Sequence, residues 1–315
     1  MLPAHLPTIA AALLALACAA AARGPVTRVS EVQHPVAAGT EGARVDRLYF
    51  SSDGAARWDD SAAAPDESSC PSGIAWRRTA VRAPRVDEYA CRPGTRPRGE
   101  RLLVGVGGTG AIAWRRPLVY PSGTSPIDLS LAGAAPHALV LSDLEVVSPT
   151  TGEPIVPPRT RAIAGEDRAV PIETVQGPAA YLPTSGAVLL FEADVTLVRR
   201  DGGVFRVDPA SGARVLLHPV TADLLGRYDR VESIAPTDDG RFAVLGRRRS
   251  TRGPSSVSVA LLDLTSGRLV FEQAHGDGHA CFDPQVAVGP GAAFALAYRD
   301  DTLARRVVVQ YRLDP

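Results

Sequence analysis

From Arg230 to Gln273 the apolar residues fall into four short runs separated by turn chemistry, the pattern of an antiparallel four-stranded unit. Val231 and Ile234 lead into Pro236-Thr237-Asp238-Asp239-Gly240, a Pro-plus-Asp-Gly cluster that sets a tight turn between two extended runs. Phe242, Ala243, Val244 and Leu245 form the second run, and Arg247 to Ser256 reads as a polar connection. Val257, Val259 and Leu261 then alternate as a half-buried strand requires, Leu264-Thr265-Ser266-Gly267 turns, and Arg268 to Gln273 returns. Four strands and three turns make a β-propeller blade, which cannot bury its apolar face without neighbours of the same kind.

The third turn recurs upstream. Val207 to Gly212 and Val147 to Gly152 repeat it, Thr109-Gly110 through Trp114 gives a fourth copy and Ser72-Gly73 through Trp76 a fifth, with Ile-Ala-Trp-Arg-Arg identical from Ile74 and from Ile112. The turn glycines are thus Gly73, Gly110, Gly152, Gly212 and Gly267, spaced by 37, 42, 60 and 55 residues against the ~40–50 of propeller blades. The first half of the blade repeats at Tyr181 to Phe191 and at Val286 to Tyr298, and the last copy stops at Leu313-Asp314-Pro315, where its fourth strand would begin. Val26 to Val32 is the natural donor of that strand. The expectation is an all-β chain forming one propeller of about six four-stranded blades, with five or seven as alternatives, closed by an N-terminal strand. Ser51 to Pro71 and Arg82 to Arg101, rich in Pro, Gly, Asp and Arg, read largely as loop.

Ahead of this array, residues 1–22 carry no Asp, Glu, Lys or Arg and end in Ala20-Ala21-Ala22, the form of a cleavable export signal too short to span a bilayer. Ala15-Leu16-Ala17-Cys18 offers a second cleavage reading, resembling a bacterial lipoprotein box in which Cys18 would carry lipid. Residues 23–315 then form the propeller domain of an exported protein, periplasmic, cell-surface or extracellular, with the membrane reached only through such an anchor. In that compartment Cys70 and Cys91 are expected to pair as a disulfide, leaving Cys281 free.

Charge narrows the partners. Thirty-four basic residues balance 34 acidic ones, which argues against nucleic acid. Every one of the basic residues is arginine and the chain has no asparagine, a bias of GC-rich bacterial genomes that leaves no Walker lysine, Schiff base or N-glycosylation site. Gly105 to Gly110 is glycine-rich but leads into a strand-like run, so no helix dipole backs it as a phosphate site. His275, Asp277 and His279 alternate, followed by Cys281 and Asp283, and on a strand they would face one side as metal ligands; the plain alternative is a solvated loop between blades with Cys281 in the core. Arg247-Arg248-Arg249 reads as a solvated connection.

At Thr109, Gly110 and Trp114, and again at Asp263, Gly267 and Phe271, the chain resembles the quinoprotein-like propeller repeat, as a divergent member. In that family the Trp of one blade stacks near the Gly turn of a neighbour, so the resemblance implies the fold. The family holds both quinone-dependent dehydrogenases and cofactor-free scaffolds. Its enzymes use vicinal cysteines and a calcium site with Asn or Glu ligands, and this chain lacks both an adjacent Cys pair and any Asn. The expectation is therefore a monomeric, non-catalytic binding or scaffold module without cofactor, serving a protein or cell-envelope component, with a propeller enzyme, quinone-dependent or metal-assisted, as the alternative.

Overall fold

The computed structural model describes residues 26–35, 47–59, 76–83, 86–91, 101–107, 111–120, 127–135, 137–162, 169–175, 177–193, 201–221, 229–249, 255–276 and 278–313. Among them there is no helix. The chain opens with β1 (Val26–Pro35), a hairpin of β2 (Arg47–Phe50) and β3 (Ala56–Asp59), and a meander of β4 (Trp76–Ala83), β5 (Val86–Cys91), β6 (Arg101–Val106) and β7 (Ile112–Pro117). A short pair, β8 (Val119–Tyr120) and β9 (Ile127–Asp128), precedes the meander of β10 (Leu131–Ala135), β11 (Ala138–Leu141), β12 (Val146–Val147) and β13 (Pro154–Val156). The hairpin β14 (Thr160–Ala162) and β15 (Ala169–Pro171) leads to β16 (Ala179–Leu182), β17 (Ala187–Ala193), β18 (Asp201–Val207) and β19 (Arg214–Thr221). Next come β20 (Asp229–Pro236), β21 (Phe242–Arg249), β22 (Ser256–Asp263) and β23 (Leu269–His275), then β24 (Cys281–Val288), β25 (Ala293–Asp300) and β26 (Arg305–Leu313).

Four sheets are meanders of consecutive strands, β4 to β7, β10 to β13, β16 to β19 and β20 to β23. A fifth is sewn from both ends of the chain, in the order β1-β26-β25-β24. The first strands of the sheets adjoin in a closed cycle, β4 to β10 to β16 to β20 to β24, with β2 between β24 and β4. That is a ring of radial sheets, the propeller arrangement. Its cores lie between blades: Leu245 and Leu262 pack with Leu189 and Phe191, Leu261 with Phe294 and Tyr311, Val140 and Val146 with Val188 and Leu190, and Leu103 with Leu139 and Leu141. These four large clusters each take residues from two sheets, so a meander needs its neighbours to complete its core.

Six four-stranded blades are not found among the described residues. The miscount traces to the copy at Gly73: Trp76 stands on β4, the first strand of its meander, whereas the Trp114 of the identical pentapeptide stands on β7, the fourth. The shared Trp-Arg-Arg therefore enters a first strand in one copy and a fourth strand in the other, so the match does not mark a blade boundary. Between the last sheet and β4 the described residues show only the two-stranded β2–β3 hairpin, docked by Phe50 against Gly289 and by the Gln310 side chain, which accepts from Ala56 N–H (3.1 Å) and donates to Gly54 O (3.0 Å). The stretch read as loop from Arg82 also contains β5, whose Val86 is fully buried.

The closing strand is β1, antiparallel to β26 from Val26 opposite Leu313 to Pro35 opposite Arg305. The valines at every third position are reconciled with a two-residue strand period by a bulge: Arg28 faces Tyr311, Ser30 faces Gln310, and Val29 is the extra residue. Apart from half-buried Val26 the strand is exposed, so it closes the ring chiefly by backbone pairing.

Candidate functional site

Inner strands β20 and β24 lie side by side, and both bulge near the end at which they begin, after Val231 and after Phe282. In β24 the extra residue comes with a Phe282-Asp283-Pro284 sequence. Proline has no N–H to give a ladder, and Asp283 takes a left-handed φ of 52°, a conformation held only where surrounding structure fixes it. The fixing contact crosses blades: Ser233 Oγ donates to Pro284 O at 2.8 Å. Gly246 leaves the room, since a Cβ there would stand 2.3 Å from Ser233 Oγ.

The bulge presents Phe282, half-buried, with guanidinium groups close on its ring: Arg248 at 5.9 Å from the centroid and Arg299 at 5.8 Å. Each arginine is also held by acid. Arg248 Nε lies 3.3 Å from Glu232, while Arg299 meets Asp283 at 3.5 Å and Asp301 at 2.5 Å. The neighbouring Arg247 and Arg249 both reach Glu272, at 3.1 and 2.6 Å. All three arginines of the 247–249 run belong to β21, and Arg247 is buried, so the run expected as a solvated connection is a strand end instead. The arrangement can hold a flat apolar surface rigid between oriented charges of both signs.

The residues singled out as metal ligands separate. His275 Nε2 pairs with Tyr311 Oη at 2.5 Å inside the aromatic cluster, and His279 Nδ1 pairs with the buried Asp300 at 2.9 Å. Asp300 is further bound by Arg305 Nε at 3.1 Å and Leu303 N–H at 3.2 Å, and these contacts hold its carboxyl below the usual carboxylate range although burial opposes them. Asp277 lies outside the described residues, and among those described no group of three or more His, Cys, Asp or Glu gathers around a common point. Cys281 is free and fully buried, its thiol pushed up to about 11 first by desolvation and then by Asp300. Cys18, Cys70, Gly73 and Gly110 fall outside the described residues, and of Cys91 only the backbone, at the end of β5, is described.

The described turn glycines behave alike. Gly152, Gly212 and Gly267 have φ of 75°, 75° and 68°, and each meets a neighbouring element: the Trp114 ring, the Arg159 guanidinium and the Leu217 carbonyl. Trp114 of β7 covers the Gly152 turn of the next blade and donates from Nε1 to Pro149 O at 3.0 Å, the stacking that the repeat resemblance implies. Two features escaped sequence reading. The Phe282 cluster was signalled by a proline inside an otherwise strand-like run. Asp143 and Glu145, at most 3% exposed, carried no signal, because a Ser-Asp-Leu-Glu turn reads as solvated.

No family model matches the chain, and no curated protein does. Among solved structures it is similar to a glucose dehydrogenase, at 14% identity over 91% of this chain and 98% of that one, with a TM-score of 0.44. It is also similar to hydrazine synthase of Kuenenia stuttgartiensis (13% identity, 69% of this chain, TM-score 0.40) and to TolB from Acinetobacter baumannii (14% identity, 73% of this chain, TM-score 0.35). The chain spans about half the length of those last two, covering 53% and 54% of them. At such identities the likeness extends to shape alone, and the propeller arrangement rests on the chain's own strand pairing.

Proposed function

We propose that this chain is an exported, non-catalytic β-propeller that binds a protein or a cell-envelope component through the Phe282 end of its ring. The observation that carries the reading is Phe282 itself, pinned on a cross-braced bulge between two acid-paired arginines. Aromatic and arginine side chains supply most of the energy at protein interfaces, and a ring already immobilised loses little entropy when covered. The ion pairs around it set orientation, since a partner must match charges of both signs. Export follows from residues 1–22, with Cys18 as the lipid attachment point if the lipoprotein cleavage is used.

The test is a photo-crosslinking residue placed at Phe282 in the full exported chain, expressed in its own cells, with the same residue at Val215 on the outer strand β19 as control. One discrete adduct from position 282 and none from 215 supports the reading. Adducts from 215 alone would move the contact to the rim and sink the assignment of this end. A stoichiometric metal or quinone absorbance in the purified protein would replace binding with the enzyme reading.

A further inference from the structure

The turn between β11 and β12 is buried, although hairpin connections ordinarily lie in solvent. Ser142, Asp143, Leu144 and Glu145 are each at most 4% exposed, and Leu144 is left-handed, with φ of 64°. Ser142 fixes the turn from two sides: its N–H donates to Ser130 O (2.8 Å), its Oγ accepts from Ser130 N–H (3.0 Å), and its carbonyl accepts from Val175 N–H (2.6 Å). Two carboxyl groups are thereby carried into the seam between the β4–β7 blade and the β10–β13 blade.

Their situations differ. Glu145 is ion-paired with Arg116 of β7, which also donates to Gly152 O at 3.1 Å. Asp143 Oδ1 accepts the Glu145 N–H at 3.2 Å, but Asp143 Oδ2 is buried with no hydrogen-bond partner. Around Asp143 the charged groups are Glu145 on its own blade and Arg116 from the neighbour; Ser130 and Val175, which close the other sides, do not titrate. The acid of the β15 side, Glu173, is already engaged with Arg159 and Arg214. One guanidinium thus serves two buried carboxyls, and an ionised Asp143 would leave a charge in the seam with an oxygen unpaired, whereas a protonated one removes the charge.

We propose that Asp143 is a proton-operated latch on this seam, closed while its carboxyl is protonated and loosened once it ionises. Burial pushes both Asp143 and Glu145 up from the ordinary carboxylate range, with Arg116 opposing. An acid raised in the folded state binds more protons there than in the unfolded chain, so its contribution is present at acid pH and is lost as pH rises through the folded value. A protein outside the cytoplasm meets such changes directly.

The experiment compares the full mature chain with Asp143→Asn, which keeps the shape and cannot ionise, by melting from pH 4.5 to 8.5 and by amide exchange at Val146, Val147 and Gly152. At the alkaline end the variant should melt several degrees above the parent and exchange at least tenfold more slowly in the seam, the gap closing toward acid pH. If the variant does not fold, exchange in the parent alone decides, because the ratio of seam amides to β22 amides, corrected for intrinsic rates, should rise with pH. Parallel melting curves or a flat ratio would overturn the latch. So would a calcium-dependent rise in the parent's melting temperature that the variant lacks, which would put a cation at Oδ2.

Discussion

At the scale of single residues, glycines separate two costs that are usually mixed. Gly291 has a φ of 66° with nothing within 4 Å of where a Cβ would stand; Gly267 has nearly the same φ, 68°, but a Cβ there would be 2.1 Å from the Leu217 carbonyl oxygen. Gly291→Ala should cost only the left-handed penalty, about 1–2 kcal/mol. Gly267→Ala should add overpacking of about 1–3 kcal/mol, because the atom in the way is backbone of the neighbouring blade and cannot turn aside. Urea unfolding of the two variants measures the difference, and equal losses would mean that the blades yield at this contact. Gly267 was legible, because a Thr/Ser-Gly turn after an apolar run favours φ above zero. Phe282 was not, since its importance comes from Arg248 and Arg299, which adjoin it only once β21, β24 and β25 are side by side. Asp143 was hidden for a related reason, because burial of a polar turn depends on which segments fold over it. Cys281 follows the same logic from the other side. A thiol raised to about 11 and fully buried should resist alkylation at pH 8 in the native protein and react as a single thiol after denaturation, two more appearing only on reduction if Cys70 and Cys91 are joined. Rapid labelling of the native protein would show that the chain at Gly276, which lies against the thiol, opens.

At the scale of elements, β1 is held by a ladder rather than a core. Nine residues pair with β26, yet Val29 and Val32 are 48% and 46% exposed. Replacing either valine by serine should change stability by less than about 0.5 kcal/mol, as for other exposed positions. Deleting Gly24 to Gln33 removes most of the ladder, and at about 1 kcal/mol net per hydrogen bond the loss is on the order of 5 kcal/mol, seen as one cooperative fall in melting temperature. An unchanged melting curve would reduce β1 to a tail. The role of this strand could be read from the sequence because the last repeat stops one strand short; its register could not, because a bulge at Val29 shifts every later pair and nothing local announces it.

At the scale of the whole molecule, the ring is a set of shared seams. Each of the four largest apolar clusters draws on two neighbouring sheets, so the blade repeat and its turns were visible in the sequence while their number was not. Counting by the Gly turn before the fourth strand is sound where the glycine occupies that place, as at Gly152, Gly212 and Gly267, and fails where a similar peptide enters a first strand, as at Trp76.

Both ends of the described chain meet at one corner, Val26 beside Leu313. In an antiparallel pair the hydrogen bonds run across the strands, so a pull applied between these two residues acts along the bonds, and on one at a time. Tension of that kind peels a zipper instead of shearing a sheet. Were the first residues tied to a membrane while a partner drew on the other end, the ring would part at its own closure, and the remaining blades would be the last to feel the load.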